Sequence, residues 1–175
     1  MGGFDGKAKW PFAVMAFVML IAICVTVWAV FFRSAGAELA PDYAPQQEEG
    51  RAEPIAGDTG GKLEEPEGGG AVSLAYSKEV TVRLSAEEAT LLFANPSKSN
   101  RDMILQIVVK DEVIVQSGLI KPGNQVTSLS LLEGAGQALQ LGGYDGKFKV
   151  LYYSQSTSEK EFVSTEIPVS ITVEE

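Results

Sequence analysis

Two hydrophobic patterns divide the chain. Residues 12–32 (FAVMAFVMLIAICVTVWAVFF) form an uninterrupted apolar run without a single charge. At about 1.5 Å per helical residue the run reaches about 31 Å, the thickness of a bilayer's hydrocarbon core. A helix buried in a soluble protein would keep a polar stripe, whereas the only polar side chain here is Thr26, whose hydroxyl can bond back to its own helix. Trp10 and Trp28 stand toward the two ends, where aromatic rings favour the membrane interface. The pattern predicts one transmembrane helix within residues 10–33.

From Ala71 onward the period changes to two. Val80, Val82 and Leu84 alternate with Thr81 and Arg83, and Leu91 to Ala94 is a short apolar strand ending at Asn95-Pro96. Met103, Leu105, Ile107 and Val109 share one side, and Lys110-Asp111-Glu112 turns the chain back into Val113 to Gln116, a predicted β-hairpin. Apolar residues on its other side (Ile104, Val108, Ile114) place the hairpin centrally. Lys121-Pro122-Gly123-Asn124 has Pro second and Gly third, as a type II turn requires, and Val126 to Leu132 follows as a strand. Glu133 to Gly143 is Gly-rich and reads as a loop with Leu139 and Leu141 turned inward. Phe148, Val150 and Tyr152 alternate with Lys149, Leu151 and Tyr153. In the last strand Ile167, Val169, Ile171 and Val173 alternate with polar residues and with Pro168, which cannot donate to a ladder and so marks an edge or a strand start. Together these predict an all-β, immunoglobulin-like antiparallel β-sandwich of seven or eight strands over residues 71–175, preceded by one transmembrane helix.

Between the two patterns, residues 34–70 mix Pro, Gly, Gln and Glu with almost no large apolar side chains. Such a segment buries too little surface to offset its ordering entropy, so a disordered acidic linker is expected. Its carboxylates lack the tight spacing and central Gly of a calcium loop and read as solvated charges.

Charge then sets orientation and excludes partners. The chain carries a formal −9, with nine acidic and three basic residues over 33–70. An acidic surface repels phosphate, so no nucleic acid is expected, and anionic headgroups are disfavoured. Lys7 and Lys9 precede the apolar run and an acidic segment follows it. This predicts a cytoplasmic N-terminus at residues 1–9, a single-pass signal anchor in the cell membrane, and an extracellular C-terminal domain. Ala35-Gly36-Ala37 also has the small-x-small form that signal peptidase accepts, while a run of this length favours retention as an anchor. Cleavage after Ala37 stays open at this point.

Chemistry is scarce. The chain has no His, and its one cysteine, Cys24, lies inside the apolar run, so the outer domain has no disulfide and no thiol. No catalytic residue, metal or cofactor is expected. The adjacent pairs Glu87-Glu88 and Asp111-Glu112 read as solvated charges and not as an acid–base couple held across a cleft.

The series Phe93-Ala94-Asn95-Pro96…Asn100, then Val115-Gln116-Ser117-Gly118-Leu119-Ile120-Lys121-Pro122-Gly123, then Gly143-Tyr144 leading into a Tyr-rich strand, resembles a family of uncharacterised single-pass proteins of Gram-positive (Firmicutes) bacteria. Their motifs are N-P-x-x-N and S-G-L-I-x-P-G. The resemblance covers residues 80 to 173 and implies a location and a fold: an N-terminal anchor, a variable acidic linker and an extracytoplasmic β-sandwich. It implies no activity. The Asn-Gly associated with the family's last hairpin is replaced here by Ser154 to Glu161, which leaves that loop without an implied role.

The function expected from this reading is a non-catalytic, membrane-tethered interaction module that binds an envelope protein or wall polymer. Tyr144, Tyr152, Tyr153 and Asn124 are its candidate interaction residues, since tyrosines are frequent interface anchors. The alternative is an accessory subunit of a larger membrane assembly, for secretion or sensing, held through its helix.

Overall fold

The computed structural model describes residues 14–21, 39–64, 67 and 69–175, which belong to two units, Met1–Glu38 and Leu39–Glu175. In the first, residues 14–21 form a helix, α1, with all its side chains exposed. The rest of the expected span 12–32, the N-terminal lysines and Ala37 lie outside the described residues. Among the described residues no helix is long and apolar enough to cross a membrane.

The second unit is all-β. Its strands are β1 (Glu53–Pro54), β2 (Ala75–Tyr76), β3 (Glu79–Arg83), β4 (Glu88–Asn95), β5 (Arg101–Val109), β6 (Glu112–Gln116), β7 (Asn124–Ser130), β8 (Gly142–Ser154) and β9 (Lys160–Glu174), with one helical turn, α2 (Ala135–Ala138), between β7 and β8. They join one sheet in the order β1-β7-β4-β3-β9-β8-β5-β6, with β2 added beside β4. Neighbours run antiparallel with one exception: β3 and β9 are parallel, Val80 opposite Ile171 and Val82 opposite Val173. The expectation of an antiparallel sheet throughout is corrected here. No hairpin can join parallel strands, and these two are the first and last long strands of the domain, meeting in the middle of the sheet.

The sheet curls, because its alternating apolar side must be covered. Phe93 on β4 and Phe148 on β8 are separated by two strands in the sheet order, yet their rings meet edge to face with centroids 6.1 Å apart. Val82, Met103, Leu105, Ile107, Val115 and Val150 fill the enclosed core with them, all fully buried. A second, smaller cluster forms on the outer side of β5 and β8 from Ile104, Leu119, Leu151 and Tyr153.

The predicted hairpin is β5–β6, and Lys110 and Asp111 turn it with φ of 51° and 65°, as a tight two-residue turn requires. Its expected central position holds for β5, buried on both sides, while β6 ends the sheet order. In the 133–143 loop Leu139 closes the core, but Leu141 is exposed and not turned inward. After Leu139 the chain leaves the core to start β8 at Gly142, where φ is 133°.

The largest correction concerns the linker. Residues 39–64, expected to be disordered, run as an extended strap along the domain. Ala44 N–H donates to Ser158 O (2.7 Å), Leu119 N–H to Gln47 O (3.3 Å), Glu49 N–H to Leu119 O (3.0 Å) and Ile55 N–H to Gly123 O (2.9 Å). β1 adds two residues to the edge of β7, Glu53 opposite Gln125 and Pro54 opposite Asn124. Ala40 and Ala44 pack on the outer cluster, and the Tyr153 hydroxyl donates to Pro41 O (2.9 Å). What a composition argument leaves out is the partner surface. The strap buries little of its own, but it saturates backbone and charged groups on the domain.

Candidate functional site

The four candidate interaction residues do not form a patch. Tyr152 and Tyr153 are consecutive on β8 and so face opposite sides of the sheet. Tyr152 is buried in the main core with its hydroxyl 2.7 Å from Thr165 Oγ1, and burial raises its pKa above the ordinary phenol value. Tyr153 is fully buried in the outer cluster beneath the strap. Tyr144 is half-buried, with a hydroxyl that donates to Gln140 O and accepts from Gln140 N–H, both at 3.0 Å, and with the Lys110 ammonium 4.9 Å from its ring centroid. Asn124 begins β7, opposite Pro54 of the strap, and its side chain donates to Lys121 O (3.3 Å). All four serve the fold.

The motif residues do the same. The Asn95 side chain, fully buried, donates to Arg101 O and Ile120 O at 3.0 Å each, joining the starts of β5 and the Ser117–Gly123 segment. Asn100 accepts from Ala71 N–H (2.9 Å) through its side chain, and Ser99 holds Ser73 on both sides. Ser117 Oγ accepts from Leu105 N–H (2.9 Å) and donates to Gly118 O (2.8 Å). Gly118 faces the strap so closely that a Cβ there would stand 2.9 Å from the backbone of Glu49. Gly123, at φ 87°, and the Asn124 N–H to Lys121 O bond (3.2 Å) make the predicted turn.

The exposed chemistry lies instead on β9. Its pairing with β8 is irregular: Leu151 sits opposite Ser164 while Tyr153 sits opposite Lys160, so β9 carries two extra residues between those positions. Such a bulge re-aims side chains, and here it leaves consecutive residues, Phe162 and Val163, both in solvent, the phenylalanine completely and the valine 69% exposed. Beside them a groove of about 360 Å³ is lined by Val72, Arg101, Tyr152 and Thr165, with Arg101 Nε 2.7 Å from the Glu161 carboxylate.

The backbone of β9 is open here as well. Ser170 N–H donates to Lys78 O (2.8 Å), on the side of β3, which pairs only with Ser170 to Glu174. Backbone groups alternate sides with period two, so the N–H groups of Glu166 and Ser164 face the same side, where no described strand pairs with them. Pro168 occupies the position between, and having no N–H it lies on an open edge, one of the two places expected for it. A run of polar and apolar residues at a strand start gave no sign of the bulge; two adjacent large apolar residues, Phe162-Val163, breaking the alternation were the available signal.

The acidic pairs take structural places. Glu88 is bound by Ser128, Arg51 and Arg83, which hold its carboxyl below the ordinary value, with Ser128 the largest influence. Asp111 is a turn residue at positive φ. Among the described residues no cluster of three or more His, Cys, Asp or Glu could hold a metal ion.

No family model matches the chain, and no curated protein matches it. Among solved structures, AggA, the major subunit of aggregative adherence fimbriae type I from Escherichia coli, aligns over 64% of this chain and 100% of its own at 10% identity, with a TM-score of 0.31.

Proposed function

We propose that this chain is a non-catalytic binding module, an immunoglobulin-like domain held at the outer face of a membrane by its N-terminal apolar segment, and that it engages an envelope protein or wall polymer through the bulge of β9. One observation carries the reading: Phe162 and Val163 stand side by side in solvent next to an apolar-floored groove and an open strand edge. A solvent-exposed phenylalanine contributes nothing to this core, and aromatic side chains are the favoured anchors of interfaces. The open N–H groups of Ser164 and Glu166 offer a partner main-chain hydrogen bonds in addition.

The test is the double substitution Phe162→Ser and Val163→Ser. As surface changes they should shift stability by no more than about 0.5 kcal/mol. The expected result is a full-length chain that is folded and surface-exposed yet no longer co-purifies its partner from membranes. Retention of the same partner by the variant would overturn the reading. The alternative, an accessory subunit held through its helix, would keep the partner after this change and lose it when residues 12–32 are exchanged for an unrelated apolar helix.

A further inference from the structure

All five carboxylates of the strap between residues 39 and 58 meet a donor on the domain. Asp42 meets Lys160 Nζ (3.0 Å), and Glu48 meets Lys121 Nζ (2.6 Å). Glu49 accepts from Gly118 N–H (2.6 Å), Glu53 from the Gln125 side chain (3.3 Å), and Asp58 from both Ser97 N–H (2.6 Å) and its hydroxyl (2.7 Å). The single basic residue of that stretch, Arg51, meets the Glu88 carboxylate and the hydroxyls of Ser128 and Ser130. Between these contacts the backbone pairs with Leu119, Gly123 and Gln125. Donors matched to carboxylates in this way, two of them lysines, joined to main-chain pairing, fit the recognition of an extended segment by a sheet edge. It is not what a spacer between an anchor and a domain requires.

We infer that the line from Lys160 through Gly118 and Lys121 to Ser97 is a recognition track for an extended acidic segment, that residues 42–58 are its resident occupant, and that the same segment of a second copy can take the place of the first. The second copy is the partner argued for because its carboxylates fall at the spacing the track reads. At Gly118 a Cβ would lie 2.9 Å from the Glu49 backbone, so a side chain there closes the track. Gly57, at φ 74° with nothing within 4 Å of a Cβ built on it, is where the strap would turn away from the domain. Within one chain the resident segment competes at an effective concentration of about millimolar, so the wild-type protein stays closed at micromolar concentration. The inference rests on the strap alone and stands apart from the role proposed for Phe162.

Two full-length variants in detergent test it. Glu48→Ala with Glu49→Ala frees the strap and leaves the track intact. Gly118→Val with Lys121→Ala blocks the track and leaves the strap intact. The readout is mass by analytical ultracentrifugation, with tryptic cleavage after Arg51 reporting strap release and the β-sheet circular dichroism reporting the fold; Lys121→Ala alone serves where the valine disturbs folding. The expected result is a heterodimer that appears only when the two are mixed, with Arg51 of the strap donor protected again. A mixture that stays at the mass of its separate components, with both straps cleavable, would overturn the exchange. Straps that stay protected in the separate variants would overturn the track itself.

Discussion

The backbone of Glu49 crosses Gly118 with no room between them: a Cβ at position 118 would lie 2.9 Å from the Glu49 Cα and 2.9 Å from its nitrogen. The glycine of the S-G-L-I-x-P-G segment is therefore fixed by a residue 69 positions away, through the strap it receives. Replacing Gly118 by Val should push the strap off and break the bond from its N–H to the Glu49 carboxylate. A hydrogen bond to a charged group contributes about 1.5 to 3 kcal/mol, so tryptic cleavage after Arg51 should accelerate by at least about tenfold, since 1.4 kcal/mol is a factor of ten. The domain's own denaturation midpoint should move far less.

Asn95 should be among the costliest polar residues to replace. Its buried amide donates to two carbonyls, Arg101 O and Ile120 O; Asn95→Leu would take the donor from Arg101 O, while Ile120 O keeps its bond from Met103 N–H (3.0 Å). An unsatisfied buried group costs about 1 to 3 kcal/mol, so a loss in that range is expected by urea denaturation, with an unchanged m-value.

Asp58 gives the strap an acid limit. Bonds from Ser97 N–H, then from its hydroxyl, hold the carboxyl below its ordinary value of 3.8. A depressed carboxylate contributes stability that is complete above the ordinary value and lost as pH falls through the lower, folded value. Strap docking, followed by proteolysis with an acid-active protease, should weaken below about pH 4. Asp58→Asn should flatten the part of that dependence that Asp58 contributes.

Tyr152 and Thr165 form a side-chain bond beneath the β9 bulge, at 2.7 Å. Tyr152→Phe should cost about 1 kcal/mol, and a double-mutant cycle with Thr165→Val should recover most of it as coupling. Because burial raises this phenol, ultraviolet titration should show late-ionising absorbance beyond that of the exposed tyrosines, and Tyr152→Phe should reduce it by one phenol.

The strands were legible in the sequence because burial on one side of a sheet writes a period of two, and from Val80 to Val173 that period is seldom broken. Turn residues added the hairpin at Lys110-Asp111 and the turn at Pro122-Gly123. The parallel meeting of β3 and β9 was not legible, since alternation names the faces of a strand and not its neighbours. The strap was misread for a different reason. Its stabilisation comes from donors on Lys160, Lys121, Gly118 and Ser97, which are scattered along the chain, and a composition argument confined to residues 34–70 contains none of them. Nor could the sequence show that the tyrosine hydroxyls have internal partners, Thr165, Pro41 and Gln140, which let the rings of Tyr152 and Tyr153 be buried and that of Tyr144 half-buried.

The binding role proposed for β9 is tested most directly by a photo-crosslinker at Phe162 in cells, with the same group at Leu92, a partly exposed apolar residue on β4, as the comparison. The expected result is one discrete adduct from position 162, absent from position 92 and lost when Val163 is replaced by Asp. A folded, surface-exposed chain that gives no adduct at Phe162, or the same adducts at both positions, would contradict it.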